Sequence, residues 1–260
     1  MTQSNSKILL ESAYVLHQRP YRDSSLLLEV FSFNHGRVGL VARGVKGKNR
    51  QRQALLQPFV PVQLSWTGRG ELATLTDVEA SGALYNLTGQ VLLSGFYLNE
   101  LLIHLLHRHD PHPDLFEYYR YTLQQLDALT DGVRLQACLR LFECQLLQEI
   151  GYGLALECEA EGGENIDPGA IYRYLPGRGA QLVQGQADIN NKLLFSGKTL
   201  LALAEQRLDE AGDLQQAKRL TRLVLDHYLG GRQLQSRKLL LDLQRTSEAA
   251  ALNKRHTKME

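Results

Sequence analysis

The hydrophobic period of this chain changes once, near Gly82, and that change constrains the fold more than any other feature. Before it lie five short runs of β type, "AYVLHQRPY", "SSLLLEVFSF", "RVGLVARGV", "FVPVQLSW" and "ELATLTDVEA", each bounded by turn residues. After it, apolar residues recur every three or four positions in "QVLLSGFYLNELLIHLLHRH", "DLFEYYRYTLQQLDAL" and "GVRLQACLRLFECQLLQEIGYG". Five short strands with one long loop fit a small closed barrel of the OB-fold type better than a sandwich. "NHGR" (Asn34 to Arg37) reads as a hairpin turn with Gly36 free to take positive φ, and "TGRGE" (Thr67 to Glu71) as a second. Pro58 and Pro61 bracket "FV" and suit a strand entry or an edge. The fold class is therefore α+β: an N-terminal five-stranded OB-fold barrel followed by an all-α helical domain with a small loop-rich insert.

Boundaries follow from the same pattern. Residues 1–82 form the barrel, 83–155 the first part of the helical domain, 156–192 the acidic, glycine-rich insert, 193–246 the second helical part and 247–260 a flexible basic tail. Asp114, Ser196 and Asp213 are expected helix caps, and Gly151 and Gly153 stop the third helix. Gly95, inside the first helix, is expected to permit close contact with another helix. No apolar run is long enough to span a bilayer and the N-terminus lacks a secretory h-region, so no membrane partner is expected. Three scattered cysteines, Cys138, Cys144 and Cys158, offer no disulfide framework, and a cytoplasmic protein is the expectation.

The formal net charge is only +1, but the charges are arranged in blocks. From Val30 to Gly70 there is no Asp or Glu, against seven basic residues: Arg37, Arg43, Lys46, Lys48, Arg50, Arg52 and Arg69. From Leu141 to Tyr172 the pattern inverts, with Glu143, Glu149, Glu157, Glu159, Glu161, Glu164 and Asp167 and no Lys or Arg. Segregation of this kind bears on partners rather than on fold.

Catalytic motifs fare poorly. "SGKT" (Ser196 to Thr199) resembles the end of a phosphate-binding loop, but position 192 is Lys where that motif requires glycine, so Ser196 reads as a cap. His104, His107, His109 and His112 crowd one helix end without an acidic or cysteine partner at ligand spacing, so no metal site is assigned. Asp77 and Glu79 alternate on a strand as a metal nuclease's carboxylates might, yet no third ligand stands out. The chain reads as non-catalytic.

The basic segment from Lys46 to Gln57, read as the barrel's long loop, carries the functional signal. Tyr21, Phe31, Phe33, Phe59 and Trp66 are interleaved with the charges; in a five-stranded barrel several of them must be core, but one or two could stack on bases. Cations that neutralise phosphates, with aromatic platforms beside them, point to nucleic acid. A non-catalytic OB-fold adaptor or an RNA-binding accessory factor is the alternative.

Several stretches resemble one family, the bacterial DNA repair and recombination proteins of the RecO type, in their gamma-proteobacterial form. The matching segments are "AYVLHQRPYRDSSLLLEVFSFNHGRVGLVARGVKG", "ALLQPFVPVQLSWTGRGELATL", "GFYLNELL", "LRLFECQLLQEIGYG" and "YLGGRQLQSRKLL", in order and over nearly the whole chain. The resemblance implies a nucleoid-associated recombination mediator that binds single- and double-stranded DNA and anneals complementary strands. It also implies a partner, RecR, with which the protein helps RecA displace single-stranded-DNA-binding protein (SSB). The implied DNA surface falls on Arg37, Arg43, Lys46, Lys48, Arg50, Arg52 and Arg69. Arg140 stands where the family carries a basic residue and is the implied anchor for the acidic, Phe-ended tail of SSB. Arg232 and Arg237 in "GGRQLQSRK" could contact a second strand or make salt bridges to the insert. Members often bind zinc through four cysteines just after "GYG". Here Cys158 holds the first position, Glu161 replaces its partner and no second pair follows, so neither metal nor cofactor is expected.

Overall fold

The computed structural model describes residues 7–45, 50–68, 70–129, 131–185, 191–208 and 210–242. Strands β1 (Lys7–Tyr21), β2 (Ser25–Ser32), β3 (Gly36–Ala42), β4 (Pro61–Thr67) and β5 (Ala73–Ala80) close into a barrel in the order β1-β2-β3-β5-β4. Neighbours are antiparallel except β3 and β5, which run parallel. Inward positions alternate: Leu26, Leu28 and Val30 on β2, Val38, Leu40 and Ala42 on β3, Val62, Leu64 and Trp66 on β4. On β5 the inward set jumps from Leu75 to Val78, because a bulge between the pairs Ser65–Asp77 and Trp66–Leu75 inserts Thr76 and resets the phase.

The basic segment is not a loop throughout. Helix α1 (Arg50–Leu55) lies between β3 and β4, and Leu56, just after it, plugs the barrel interior with Val45. A six-residue helix spans fewer than two turns, too little for a 3.6-residue period to show in sequence.

The helical part comprises α2 (Gly89–Leu105), α3 (Pro113–Ala128), α4 (Gly132–Glu149), α5 (Gly197–Ala204) and α6 (Ala211–Tyr228), followed by helical residues 235–242. Ser196 caps α5 by accepting from the Thr199 N–H. Two other expected caps are displaced. Asp114 lies in the first turn of α3, behind His112 and Pro113. Asp213 lies in the first turn of α6, where its carboxylate accepts from the Thr199 hydroxyl at 2.7 Å. The insert is more ordered than its composition suggests. Strands β6 (Ile171–Leu175), β7 (Gly179–Leu182) and β8 (Leu194–Ser196) form a sheet in the order β7-β6-β8, with Tyr172 and Tyr174 turned into the core. These strands are too short, and their glycine boundaries too dense, to stand out from loop sequence.

One apolar cluster spans barrel and helices. Tyr14, Leu16, Phe31 and Phe59 leave the barrel's outer wall and pack with Phe116, Tyr119 and Phe142. Phe31 meets Phe116 at 5.4 Å between ring centroids, and Tyr14 meets Tyr119 edge-on at 5.2 Å. Gly95 permits a close approach, but by the barrel and not by another helix: a Cβ there would lie 2.9 Å from the Phe59 ring. Asn99 fixes the same interface. Its amide donates to the Leu16 carbonyl at 2.9 Å and its oxygen accepts from the Tyr119 hydroxyl at 2.5 Å. Asn99→Leu leaves both buried partners unsatisfied, at about 1–3 kcal/mol each. Urea unfolding of that variant is expected to show a loss of about 2–4 kcal/mol, and an unshifted midpoint would contradict the role.

Candidate nucleic-acid interface and cationic pocket

The strand register sorts the barrel's cations into two groups. Arg37 opens β3 and Arg43 follows its end, six residues on, which separates them by about 20 Å along one face. At the Arg37 end the helices cover the sheet. Glu29 accepts from Arg37 Nη1 at 3.1 Å and also pairs with Arg108, while Arg37 Nε donates to the Leu106 carbonyl at 3.1 Å. Burial pulls the Arg37 guanidinium below its ordinary value, and Glu29 opposes that shift. Arg37 is thus tied to the junction of barrel and helices.

The other end is free. Register pairs Arg19 with Leu27 and Leu27 with Val41, and Tyr21 with Ser25 one step further on. Arg19, Tyr21 and Arg43 therefore share the uncovered outer face of β1-β2-β3. Arg22 sits in the adjoining turn, 5.2 Å from the Tyr21 ring centre. Arg19, Arg22, Arg43 and Arg50 are all exposed, and among the described residues none of them makes an ion pair. Arg52 is half-buried and donates to the Thr76 carbonyl at 2.9 Å. Lys46, Lys48 and Arg69 lie outside the described residues. Arg19 and Arg22 escaped the sequence reading because they precede the acid-free window and Arg22 adjoins Asp23; the signal available was their proximity to the first hairpin.

The aromatic platforms are mostly spent on packing. Phe31 and Phe59 are buried against helices, Phe33 packs edge-on to Phe116, and Trp66 points into the barrel beside His35. Of the five rings, Tyr21 alone lies beside the free cations.

Arg140 is not an exposed helix arginine. It is 4% exposed on α4 and pairs with Glu143, which is 1% exposed and also accepts from the Tyr97 hydroxyl at 2.6 Å. Around this pair, α2, α4, α6 and helical residues 235–242 form a cleft whose cations are Arg140, Lys218, Arg222 and Arg237. Burial, then repulsion from Arg140 and Arg222, pulls the Lys218 ammonium below its ordinary value, the signature of a site short of negative charge. Among the described residues, the buried donors Arg140 Nε, Arg140 Nη1 and Arg237 Nη2 have no hydrogen-bond partner, and neither have the buried acceptors Glu143 Oε2 and Gln136 Oε1. The cleft encloses only about 50 Å³. That admits a carboxylate, whereas dry cavities that take a benzene ring are about 150 Å³. An aromatic side chain would have to lie at the apolar rim, where Leu241 is exposed next to Leu240.

Arg237 belongs to this cleft. It pairs with Asp226 of α6, not with the insert, and its guanidinium lies 5.7 Å from the Tyr97 ring centre. Arg232 is exposed beyond the end of α6. The histidine cluster disperses: His104 faces Glu100, His109 Nε2 meets the Gly70 carbonyl and His112 faces Asp110. Among the described residues no group of three or more His, Cys, Asp or Glu is placed to hold a metal ion. Cys158 pairs with Asn165 in an isolated bridge, and the Glu159 N–H donates to the Glu164 carbonyl at 2.8 Å, so hydrogen bonds close that turn of the insert. Burial pushes the Cys138 thiol up to about 11 and Cys144 higher still, so neither is a thiolate nucleophile near neutral pH. Among the described residues no helix is long and apolar enough to cross a membrane.

Comparison with known proteins places these features in context. The profile described as Recombination protein O N terminal matches residues 7–83, and that described as Recombination protein O C terminal matches residues 87–238. A DNA repair protein RecO of Coxiella burnetii is 46% identical over 234 residues, covering 90% of this chain and 98% of that protein. One from Methylococcus capsulatus is 47% identical over 234 residues, covering 90% and 93%. One from Alkalilimnicola ehrlichii is 47% identical over 247 residues, covering 95% and 96%.

Proposed function

The chain belongs to the RecO family of DNA repair and recombination proteins, and from that premise we propose that it is a recombination mediator without turnover chemistry. It binds single- and double-stranded DNA on the free outer face of β1-β2-β3, anneals complementary strands, and with RecR promotes loading of RecA onto SSB-coated DNA. The observation that carries the DNA surface is the set of exposed arginines that make no ion pair among the described residues, Arg19, Arg22, Arg43 and Arg50, beside Tyr21. Lys46, Lys48, Arg52 and Arg69 extend that track in the sequence. Two approaching strands repel through their phosphates; a track that neutralises one backbone and leaves its bases free lowers that repulsion and lets pairing proceed. Arg232 remains available to a second strand, whereas Arg237 serves the cleft.

The α2-α4-α6 cleft is the site for the acidic tail of SSB. Its unpaired buried guanidinium donors call for carboxylates, which Arg binds through charge-assisted, often bidentate hydrogen bonds. Leu240 and Leu241 offer apolar surface for the tail's terminal ring.

The salt dependence of DNA binding tests the surface. Replacing Arg19, Arg22, Arg43 and Arg50 with Ala should flatten the slope of log K against log salt by about 3, from roughly 0.7 per single-strand phosphate contact. Arg37→Ala should leave the slope unchanged and lower thermal stability instead, since its partners are Glu29 and Leu106. A slope unaltered in the fourfold variant would mean that this face does not meet DNA. Annealing of labelled complementary oligonucleotides without ATP or metal separates the mediator from a nuclease, which would shorten strands, and from an inert adaptor.

A further inference from the structure

The cleft that takes an acidic tail depends on a wall that the rest of the chain supplies only late. Helical residues 235–242 present Arg237, Leu240 and Leu241 to the cleft, at the three- and four-residue spacing of a single helix face. On its other face the same helix turns Gln235, Ser236 and Leu239 toward a separate, apolar cavity of about 390 Å³ between β1, β2 and α2. The helix therefore stands between two spaces, with Leu234, just before it, and Leu240 packed against the main apolar cluster.

Its first turn is held by polar ties. Glu100, on α2, accepts from the Gln235 N–H at 2.8 Å, from the Ser236 N–H at 2.9 Å and from the Ser236 hydroxyl. A carboxylate supplied by another helix thus caps the first turn of this one, where backbone N–H groups lack internal partners and the helix dipole favours negative charge. The second tie is Arg237 to Asp226 on α6. In the same first turn, next to the two capped residues, Arg237 Nη2 is a buried donor at the cleft without a partner among the described residues.

We propose that Glu100 is a positioning residue for the acidic-peptide cleft: by capping helical residues 235–242 it holds Arg237 where a peptide carboxylate can reach it. The proposal rests on the cleft reading above and adds to it a residue that lies in the neighbouring cavity rather than among those lining the cleft. Glu100 touches no peptide; it acts through Arg237. Removing the cap frees the helix end, and the cleft loses one cation together with part of its apolar rim.

The test uses the full chain and a fluorescent synthetic peptide rich in aspartate and ending in phenylalanine with a free carboxylate. Arg222→Ala, an exposed cleft residue, is the control for the cleft itself and should weaken binding severalfold. Arg237→Ala and Glu100→Ala should each weaken it about tenfold, and each should lower the salt slope by about one contact. The Glu100→Ala, Arg237→Ala double variant should bind no more than about twofold worse than Arg237→Ala alone, since residues that act through one contact are not additive. DNA affinity should be unchanged in all of them. If Arg222→Ala weakens binding and Glu100→Ala does not, or if the two losses multiply, the positioning role is overturned and the cleft reading stands. If no variant alters peptide affinity, the cleft reading falls and the proposal with it. Should Glu100→Ala unfold, Ser236→Ala carries the test, because it removes one of the three bonds; it should weaken peptide binding about twofold to threefold, and native affinity in it would count against the cap.

Discussion

Arg140→Ala is expected to abolish binding of an acidic, Phe-ended peptide and, in the same stroke, to cost about 3–5 kcal/mol of folding stability. Both effects come from one geometry. Arg140 and Glu143 are buried together, and removing the guanidinium leaves the Glu143 carboxylate with the Tyr97 hydroxyl as its one hydrogen-bond partner among the described residues. A lost peptide signal could then reflect nothing more than a damaged helical core. The discriminating variant replaces the whole buried network by apolar residues of similar volume: Tyr97→Phe, Arg140→Met and Glu143→Leu together. Buried ion pairs treated this way are often neutral or more stable, so unfolding in urea should return to within about 1 kcal/mol of the parent. Peptide binding should stay absent, because the donors at Arg140 are gone, while naked-DNA annealing persists. Native peptide affinity in the triple variant would show that Arg140 is not the anchor.

The second large effect lies far from either site. Gly36 turns the β2–β3 hairpin at φ +61, and a Cβ there would sit 2.0 Å from the Asp110 carbonyl oxygen. Left-handed backbone alone costs alanine roughly 1–2 kcal/mol. The collision is worse, since it involves backbone that cannot rotate away. It can be relieved only by parting the hairpin from residues 108–110, which would break the His109 N–H bond to the Arg37 carbonyl at 3.0 Å. Gly36→Ala should therefore lose at least about 3 kcal/mol, and a chain of this size should melt roughly 10 °C lower. A melting temperature within 2 °C of the parent, on the order of half a kcal/mol, would mean that the junction yields easily.

Both cases bear on what could be read before the fold was in hand. The "NHGR" turn and the positive φ at Gly36 were legible, because turn chemistry is local: the residue and its immediate neighbours decide it. That Gly36 also abuts Asp110 was not legible. Arg140 was singled out by resemblance, but its burial beside Glu143 depends on α2 and α6 closing over α4. Which of the aromatics are spent on packing was not legible, for a related reason. Phe31 alternates correctly on β2 and Phe59 lies in the turn before β4, yet neither alternation nor turn chemistry can say whether the outer face of a barrel meets water or a helix.

The order of elements, the barrel followed by helices, and the concentration of positive charge near the end of β3 are properties of the sequence itself. They follow from hydrophobic period, turn residues and charge counts, all of which act over a few residues. Which cations are free is another matter, and only the tertiary structure decided it. Glu29 and Arg108 are 79 positions apart, and Glu100 and Ser236 are 136 apart, yet these pairs bring Glu29, the partner of Arg37, to the helical junction and hold the helix that carries Arg237. A charge is available to a ligand only if no internal partner claims it, and the partners that claim it are brought close by burial of distant apolar faces rather than by anything adjacent in the chain.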